Sequence, residues 1–475
     1  MLFNSLEFAL FLPLVFFLYW FVTNKNLTAQ NFLLLVASYF FYGWWDWRFL
    51  SLLFISSVID YFAGYFLDKT GHPVKRLLLL ILSLSTNLGL LGFFKYYNFF
   101  VDSLVTAMAS AGVTLNTRSL NVILPVGISF YTFQTMSYTI DLYRKKIAST
   151  KDFIAFLTFV SFFPQLVAGP IERAANLLPQ CLRKRVFDYG KAKDGMRQII
   201  WGLFKKIVIA DTCAGQVDLI FSNSTTMQSS DLWLGAFYFA FQIYGDFSGY
   251  SDIAIGTARL FGFELMRNFA LPYFSRDIAE FWRRWHISLS TWFKDYVYIS
   301  LGGSYGGKWK WIRNIIITFT ISGFWHGANW TFIAWGFLNG LYYLPLLLSN
   351  RQKQHTGIVA ENRFFPSLHE LFQIVLTFLM TLIAWIFFRA ENIRHAIQYI
   401  TALFSRTLFQ LPSADLIPLY LVIFLVVVEW LQRKKQFALQ IHDLPFTVRW
   451  ICYYAVALMV LGFYGGEKTF IYFQF

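Results

Sequence analysis

The stretch from Asn314 to Asn350, NIIITFTISGFWHGANWTFIAWGFLNGLYYLPLLLSN, runs for 37 residues without an Asp, Glu, Lys or Arg. As one α-helix rising 1.5 Å per residue it would be roughly 55 Å long. A bilayer's hydrocarbon core is roughly 30 Å thick, so a membrane helix of this length has to break. Gly323 and Gly327 flank His326, and the break is expected there. An ionisable side chain kept in such surroundings is a functional suspect by default. It is equally a histidine that hydrogen-bonds a neighbouring helix, and the local sequence leaves both readings open.

The rest of the chain extends this constraint. Only 14% of the residues are charged and 57% are apolar, whereas a soluble domain is about 25% charged. Apolar runs of spanning length recur and do not alternate with polar residues, which excludes a β-barrel. The fold class is therefore an all-α polytopic membrane protein, read as a single membrane-embedded domain over 1–475. Its parts are N-terminal helices (1–150), a core with both histidine motifs (151–350) and C-terminal helices (351–475). In a soluble protein the net charge of +14 would suggest nucleic acid. Here the basic residues sit in short loops, an orientation signal, and no nucleic-acid partner is expected. Cys181, Cys213 and Cys452 are far apart and odd in number, giving neither a disulfide framework nor a metal pair.

The N-terminal MLFNSLEFALFLPLVFFLYWFV lacks a basic n-region and a small-residue cleavage site, and reads as a retained first span. Further spans are expected at 31–43, 49–67, 77–97 and 121–141. The loops with Lys25, with Lys69, Lys75 and Arg76, and with Arg144, Lys145, Lys146 and Lys151 alternate with loops carrying only Arg48 and Arg118. The positive-inside rule then puts the N-terminus outside. Residues 152–169 end in PQLVAGPIER, where two prolines and a glycine favour a re-entrant piece. The basic segment from Arg173 to Arg197 reads either as a face bound to anionic membrane lipids or as an attractor of an anionic cytosolic substrate. Spans resume at 198–221 and 232–260, the second holding Asp246 and Asp252, expected to pair with Arg259 or Arg267 or to face a wet cavity. Residues 281–296 have Phe281, Trp282, Trp285, Leu289, Trp292, Phe293 and Tyr296 within an arc of about 120° on a helical wheel, with Arg283 opposite and His286 at the edge. This predicts one amphipathic helix. After a polar loop to 367, spans are expected at 368–388, 416–432 and 447–464, with an interfacial helix at 391–403.

His286 and His326 are forty positions apart, a spacing with no metal signature, and no metal site is expected. Ser322, Asn329 and Thr331 supply hydroxyl and amide groups near His326. A neutral imidazole in such a pocket takes a proton from an alcohol as it attacks an acyl carbonyl. The residues give proton transfer within the membrane; acyl transfer is compatible with it and not compelled by it.

FWRRWHISLSTWFKDYVYISLGG followed by SGFWHGANWTFIAWGFLNG resembles the signature of the membrane-bound O-acyltransferases, in the bacterial branch of the alginate O-acetylation membrane protein. LPVGISFYTFQTMSYTIDLYR, FFPQLVAGPIER, IYGDFSGYSDIAIG and the C-terminal FIYFQF resemble the same branch. The resemblance implies a ring of roughly 10–12 transmembrane helices, each near the bilayer's thickness, with re-entrant or interfacial helices around a central funnel. It implies His326 and His286 as catalytic residues, with Trp325, Asn329, Trp285, Arg283 and Ser322 binding substrate. No bound cofactor is implied, and the donor is acetyl-CoA or another acyl thioester, its phosphates steered by Arg183 to Lys193 and Arg283. The acceptor is an extracellular polysaccharide, reached through a periplasmic or outer-face SGNH-type acyltransferase partner. The location implied is the bacterial cytoplasmic (inner) membrane. D-alanyl transfer to a cell-wall polymer, or a transporter or flippase of an acylated lipid with His326 in a proton path, stay open as alternatives.

Overall fold

Several helices in this chain begin where a short polar side chain precedes the first turn. Ser5, Asn26, Asp152 and Asn392 each accept a hydrogen bond from a main-chain N–H in the first turn that follows, and Ser367 with Glu370 forms a reciprocal capping box. The computed structural model describes residues 1–115, 120, 122–167, 169–466 and 470–471. No strand occurs among them. Arg118, residue 121 at the head of one expected span, and all of FIYFQF except Phe470 and Ile471 lie outside the described residues.

The helices follow one another as α1 (Leu6–Phe17), α2 (Leu27–Asp46), α3 (Leu50–Lys69), α4 (Pro73–Leu91), α5 (Tyr97–Ser110), α6 (Ile128–Tyr143), α7 (Phe153–Ser161), α8 (Phe163–Leu166), α9 (Ala174–Cys181) and α10 (Tyr189–Leu203). Then come α11 (Asp211–Ser222), α12 (Ser229–Leu260), α13 (Ile278–Arg284), α14 (Ile287–Phe293), α15 (Lys308–His326), α16 (Trp330–Leu348), α17 (Leu368–Arg389), α18 (Ile393–Ala402), α19 (Ile417–Leu431) and α20 (Phe446–Phe463). Among the described residues, five helical segments are long and apolar enough to cross a membrane: Leu27–Lys69, Pro73–Ser110, Trp330–Leu348, Leu368–Arg389 and Phe446–Phe463. The chain is an all-α multi-pass membrane protein.

Two compact units are formed, one by Met1–Gly195 with Thr257–Met266, the other by Met196–Gly256 with Arg267–Phe475. The first unit is held by buried polar contacts between helices. Asn87 Nδ2 on α4 donates to Asp60 Oδ2 on α3 at 2.8 Å, and Thr135 on α6 donates to Asn87 Oδ1 at 3.1 Å. Arg185 is buried: its guanidinium donates to Asn31 Oδ1 at 2.8 Å and lies over the Phe263 ring. The expectation that the whole stretch from Arg183 to Lys193 steers an anion is thereby corrected. Arg185 faces inward because two polar side chains and an aromatic ring satisfy it there, while Arg183, Lys184 and Lys193 stay exposed.

In the second unit the uncharged run breaks once. Helix α15 ends at His326, Gly327 is extended, and α16 starts at Trp330. Gly323 is not part of the break. It lies inside α15, where α16 crosses so closely that a Cβ would sit 2.2 Å from the Phe332 carbonyl oxygen and 2.9 Å from Gly336 Cα. The amphipathic helix expected over 281–296 also divides. Helix α13 stops at Arg284, His286 takes a left-handed conformation (φ 43°, ψ 55°), and α14 starts at Ile287. The wheel placed the aromatic side chains correctly on a buried face, since each short helix keeps the period. It could not register the turn, which is stabilised by a distant segment: Asn268 O accepts from Ile287 N at 2.9 Å.

Candidate functional site

Helix α15 delivers His326 at its last residue, and the left-handed turn between α13 and α14 delivers His286. Both are buried. Their ring centroids are 6.3 Å apart with the planes at 62°. Trp325 lies 5.0 Å from His326, Trp335 5.1 Å and Phe388 5.5 Å, all edge-to-face. Phe247 on α12 meets His286 edge-on at 4.5 Å, and Trp325 stands 6.3 Å from it. The aromatic residues make a dry, low-dielectric wall in which hydrogen bonds and partial charges act more strongly than in water. His286 Nδ1 lies 3.1 Å from Asn268 Oδ1.

The family description "MBOAT, membrane-bound O-acyltransferase family" matches residues 142–390. A protein of Pseudomonas aeruginosa named "probable alginate O-acetylase" is 42% identical over 87% of this chain and 77% of its own length. The peptidoglycan O-acetyltransferase of Helicobacter pylori is 37% identical over 84% of this chain and 79% of its own. The chain belongs to the membrane-bound O-acyltransferase family. A teichoic acid D-alanyltransferase of Streptococcus thermophilus is more distant, 30% identical over 52% of this chain and 62% of its own length. This member of the family is an O-acyltransferase in a multi-pass membrane protein.

The structure draws together His326, His286 and Trp325, and leaves the other singled-out residues around them in different settings. Trp285 is fully buried, stacked on Phe281 at 5.6 Å and 5.0 Å from Trp385, so it braces the aromatic layer behind the histidines. Ser322 is buried one turn before His326 on α15. Asn329 caps α16 by accepting from Thr331 N at 3.0 Å, and donates to Glu391 O at 2.9 Å. Arg283 donates to the carbonyls of Gln352 and His355, each at 2.7 Å, and so ties down the loop that follows α16. For Asn329 and Arg283 these contacts are architectural.

The carboxylates on α12 do not have the arginine partners expected of them. Asp252 pairs with Lys205 at 2.6 Å, and Asp246 with Lys206 at 2.8 Å. Lys206 also meets Asp211 at 2.9 Å. The two lysines are adjacent in sequence and both buried, because the chain widens into π-type turns over Phe204–Ala210 and turns both inward. Gly202 and Gly249 allow the approach: a Cβ on either would lie within 2.7 Å of the other's carbonyl oxygen. The signal for these pairs stood in the sequence as LFKKIVIAD, two lysines in an apolar run that needs counter-charges. Nothing comparable marked Asn268. A small pocket, about the size that holds a water, lies at the Lys205–Asp252 pair and is lined also by Arg267, Glu429, Ser251 and Asn268, among others. Among the described residues no group of three or more His, Cys, Asp or Glu is arranged to hold a metal ion.

Proposed function

We propose that this O-acyltransferase moves an acetyl group from cytosolic acetyl-CoA to the hydroxyls of an extracellular polysaccharide, in the bacterial cytoplasmic membrane with the N-terminus outside. The observation that carries the reading is the pair of buried imidazoles, His286 and His326, 6.3 Å apart ring to ring within an aromatic wall. Two groups that close can act on one acyl carbon and one attacking oxygen. One imidazole takes the hydroxyl proton while the other polarises the acyl carbonyl or positions the second reactant; the sequence gives the first role to His326. A CoA thioester carries phosphates that keep it on the cytosolic side, and a secreted polymer stays outside. Histidines within the membrane let the acetyl group cross alone. An outer-face SGNH-type acyltransferase is the expected recipient before the polymer. The acetyl group is favoured over D-alanine because the O-acetylating relatives match most of this chain and the D-alanyltransferase about half.

The test uses everted membrane vesicles from the host, with its own polysaccharide machinery, supplied with radiolabelled acetyl-CoA. CoA release and label on polymer inside the vesicles are expected. His326→Ala and His286→Ala should each lower CoA release by roughly 10²-fold or more, the usual loss for an acid–base group, at unchanged membrane abundance. Vesicles that consume D-alanyl carrier protein in place of acetyl-CoA would move the chain to the other branch, and transport of a lipid without CoA release would remove the enzyme reading.

A further inference from the structure

A groove of ≈ 420 Å³ in the first unit lies between the end of the first helix and the segment that follows α9. Helix α1 runs on through a π-type turn over Leu18–Val22, and Phe16, Trp20 and Phe21 from this stretch form one wall. Phe187 closes the other, 5.4 Å from Trp20 and 6.0 Å from Phe16, ring to ring. The Trp20 indole donates to Leu260 O at 2.9 Å, which fixes its wall. Lys25, Lys184 and Arg185 also line the groove. Arg185 is buried, and its guanidinium donates only to neutral acceptors: Asn31 Oδ1 at 2.8 Å, Gln180 O at 3.2 Å and Gln30 Oε1 at 3.4 Å. Lys25 and Lys184 are exposed. None of these three cations has a carboxylate within ion-pair distance among the described residues, whereas Lys191, further along the same segment, is paired with Glu264. A buried cation is costly until an anion neutralises it. Beside the cations, Phe21 is 68% and Val186 77% exposed, so the groove opens onto apolar surface.

We propose that this groove binds an anionic glycerophospholipid, with its phosphate among Lys25, Lys184 and Arg185 and its glycerol and upper chain against Trp20, Phe21 and Phe187. The occupant has to satisfy both kinds of lining. A soluble phosphate would meet the cations and leave the aromatic rings bare, and a neutral apolar molecule would leave the cations unpaired. A phospholipid joins an anion to an apolar chain in one molecule, and tryptophan favours the headgroup level of a bilayer. A zwitterionic headgroup brings a cation of its own toward the lysines, so a lipid with net negative charge is preferred. The asymmetry of basic loops places both Lys25 and the segment Arg173 to Arg197 on the cytosolic side, where anionic lipids attract basic residues next to the membrane. The lipid site belongs to the first unit and the histidine pair to the second, so it stands or falls apart from the acyl transfer proposed above.

The test is native mass spectrometry of the purified, delipidated full chain, titrated in detergent with phosphatidylglycerol or with phosphatidylcholine. Phosphatidylglycerol is expected to bind roughly tenfold more tightly or better. Near an anionic lipid each basic residue is worth roughly fivefold in affinity, so Lys25→Gln combined with Lys184→Gln should weaken phosphatidylglycerol binding about 30-fold. Lys353→Gln combined with Lys434→Gln removes the same charge from exposed positions of the second unit, and should leave the affinity within about threefold. Equal weakening by both pairs would reveal diffuse attraction to total charge and overturn the site. Equal affinity for the two lipids would overturn it as well. Displacement of the lipid by glycerol phosphate or acetyl-CoA at the lipid's own concentration would make the groove a site for soluble phosphates, and so also overturns the proposal. Should Lys25→Gln with Lys184→Gln not accumulate, phosphatidylglycerol carrying a photoreactive group beside its glycerol decides on the unaltered protein. Adducts within residues 16–25 or 184–187 support the groove, and adducts confined to other segments overturn it.

Discussion

At the scale of single residues, the charges inside the second unit carry the largest stakes. Lys206 is 1% exposed and stands between Asp246 and Asp211. Removing one partner of a buried pair leaves an uncompensated charge, which costs roughly 3–5 kcal/mol. Lys206→Met is therefore expected to lower the thermal midpoint of the detergent-solubilised protein sharply. Lys191, in an exposed pair with Glu264, is the matched control. Exposed pairs contribute about 0–1 kcal/mol, so Lys191→Met should scarcely move the midpoint. Equal midpoints for the two variants would show that the Lys206 pairs do not stabilise the fold. His286 illustrates a different residue-scale fact. Its positive φ is tolerated because His enters the left-handed region more readily than most side chains and because Ala270 and Asn268 hold the two sides of the turn, through Arg284 O and Ile287 N.

Among the elements, the α15–α16 pair matters most, since it ends at His326. Its close crossing depends on glycines facing each other. A Cβ on Gly336 would lie 2.4 Å from Phe319 O and 3.0 Å from Gly323 Cα. Backbone cannot give way as a side-chain tip can, so Gly336→Ala forces the helices apart and moves His326 against His286. Overpacking of this kind costs typically about 1–3 kcal/mol. The expected result is a lower thermal midpoint together with lost CoA release. Gly462, in α20, has nothing within 4 Å of its would-be Cβ, and Gly462→Ala should leave both measurements as they were. If Gly336→Ala behaves like Gly462→Ala, the crossing is looser than drawn.

For the whole molecule, orientation is the open quantity with the most direct measurement. The asymmetry of basic residues between alternate loops predicts that the turn at Asp46 faces outward and the loop at Lys146 inward. In a Cys452→Ser background, with Cys181 and Cys213 buried, an impermeant thiol reagent applied to intact cells should label Asp46→Cys and spare Lys146→Cys. The reverse pattern would invert the protein and with it the direction of acetyl transfer.

What the sequence determined by itself is whatever depends on composition and period along the chain. The uncharged run Asn314–Asn350 compelled a break, and the helices either side of His326 followed from length alone. The later spans lie close to where apolar content put them, 368–388 against Leu368–Arg389 and 447–464 against Phe446–Phe463. The aromatic face of 281–296 was legible because burial repeats with helical period. The motif residues carried the family, which the relatives bear out over most of the chain. Tertiary structure decided what depends on contacts remote in sequence. Arg259 and Arg267 were reasonable partners for Asp246 and Asp252, yet a widened helix turned Lys205 and Lys206 inward from some forty positions away. Gly323 looked like a hinge, and the crossing of α16 made it a point of contact. The left-handed turn at His286 and its hydrogen bond to Asn268 appear in no local pattern, because the pairing of 268–270 with 284–287 creates them. Period and composition are summed along a chain, whereas the partner of a buried histidine is the atom that folding brings to its ring.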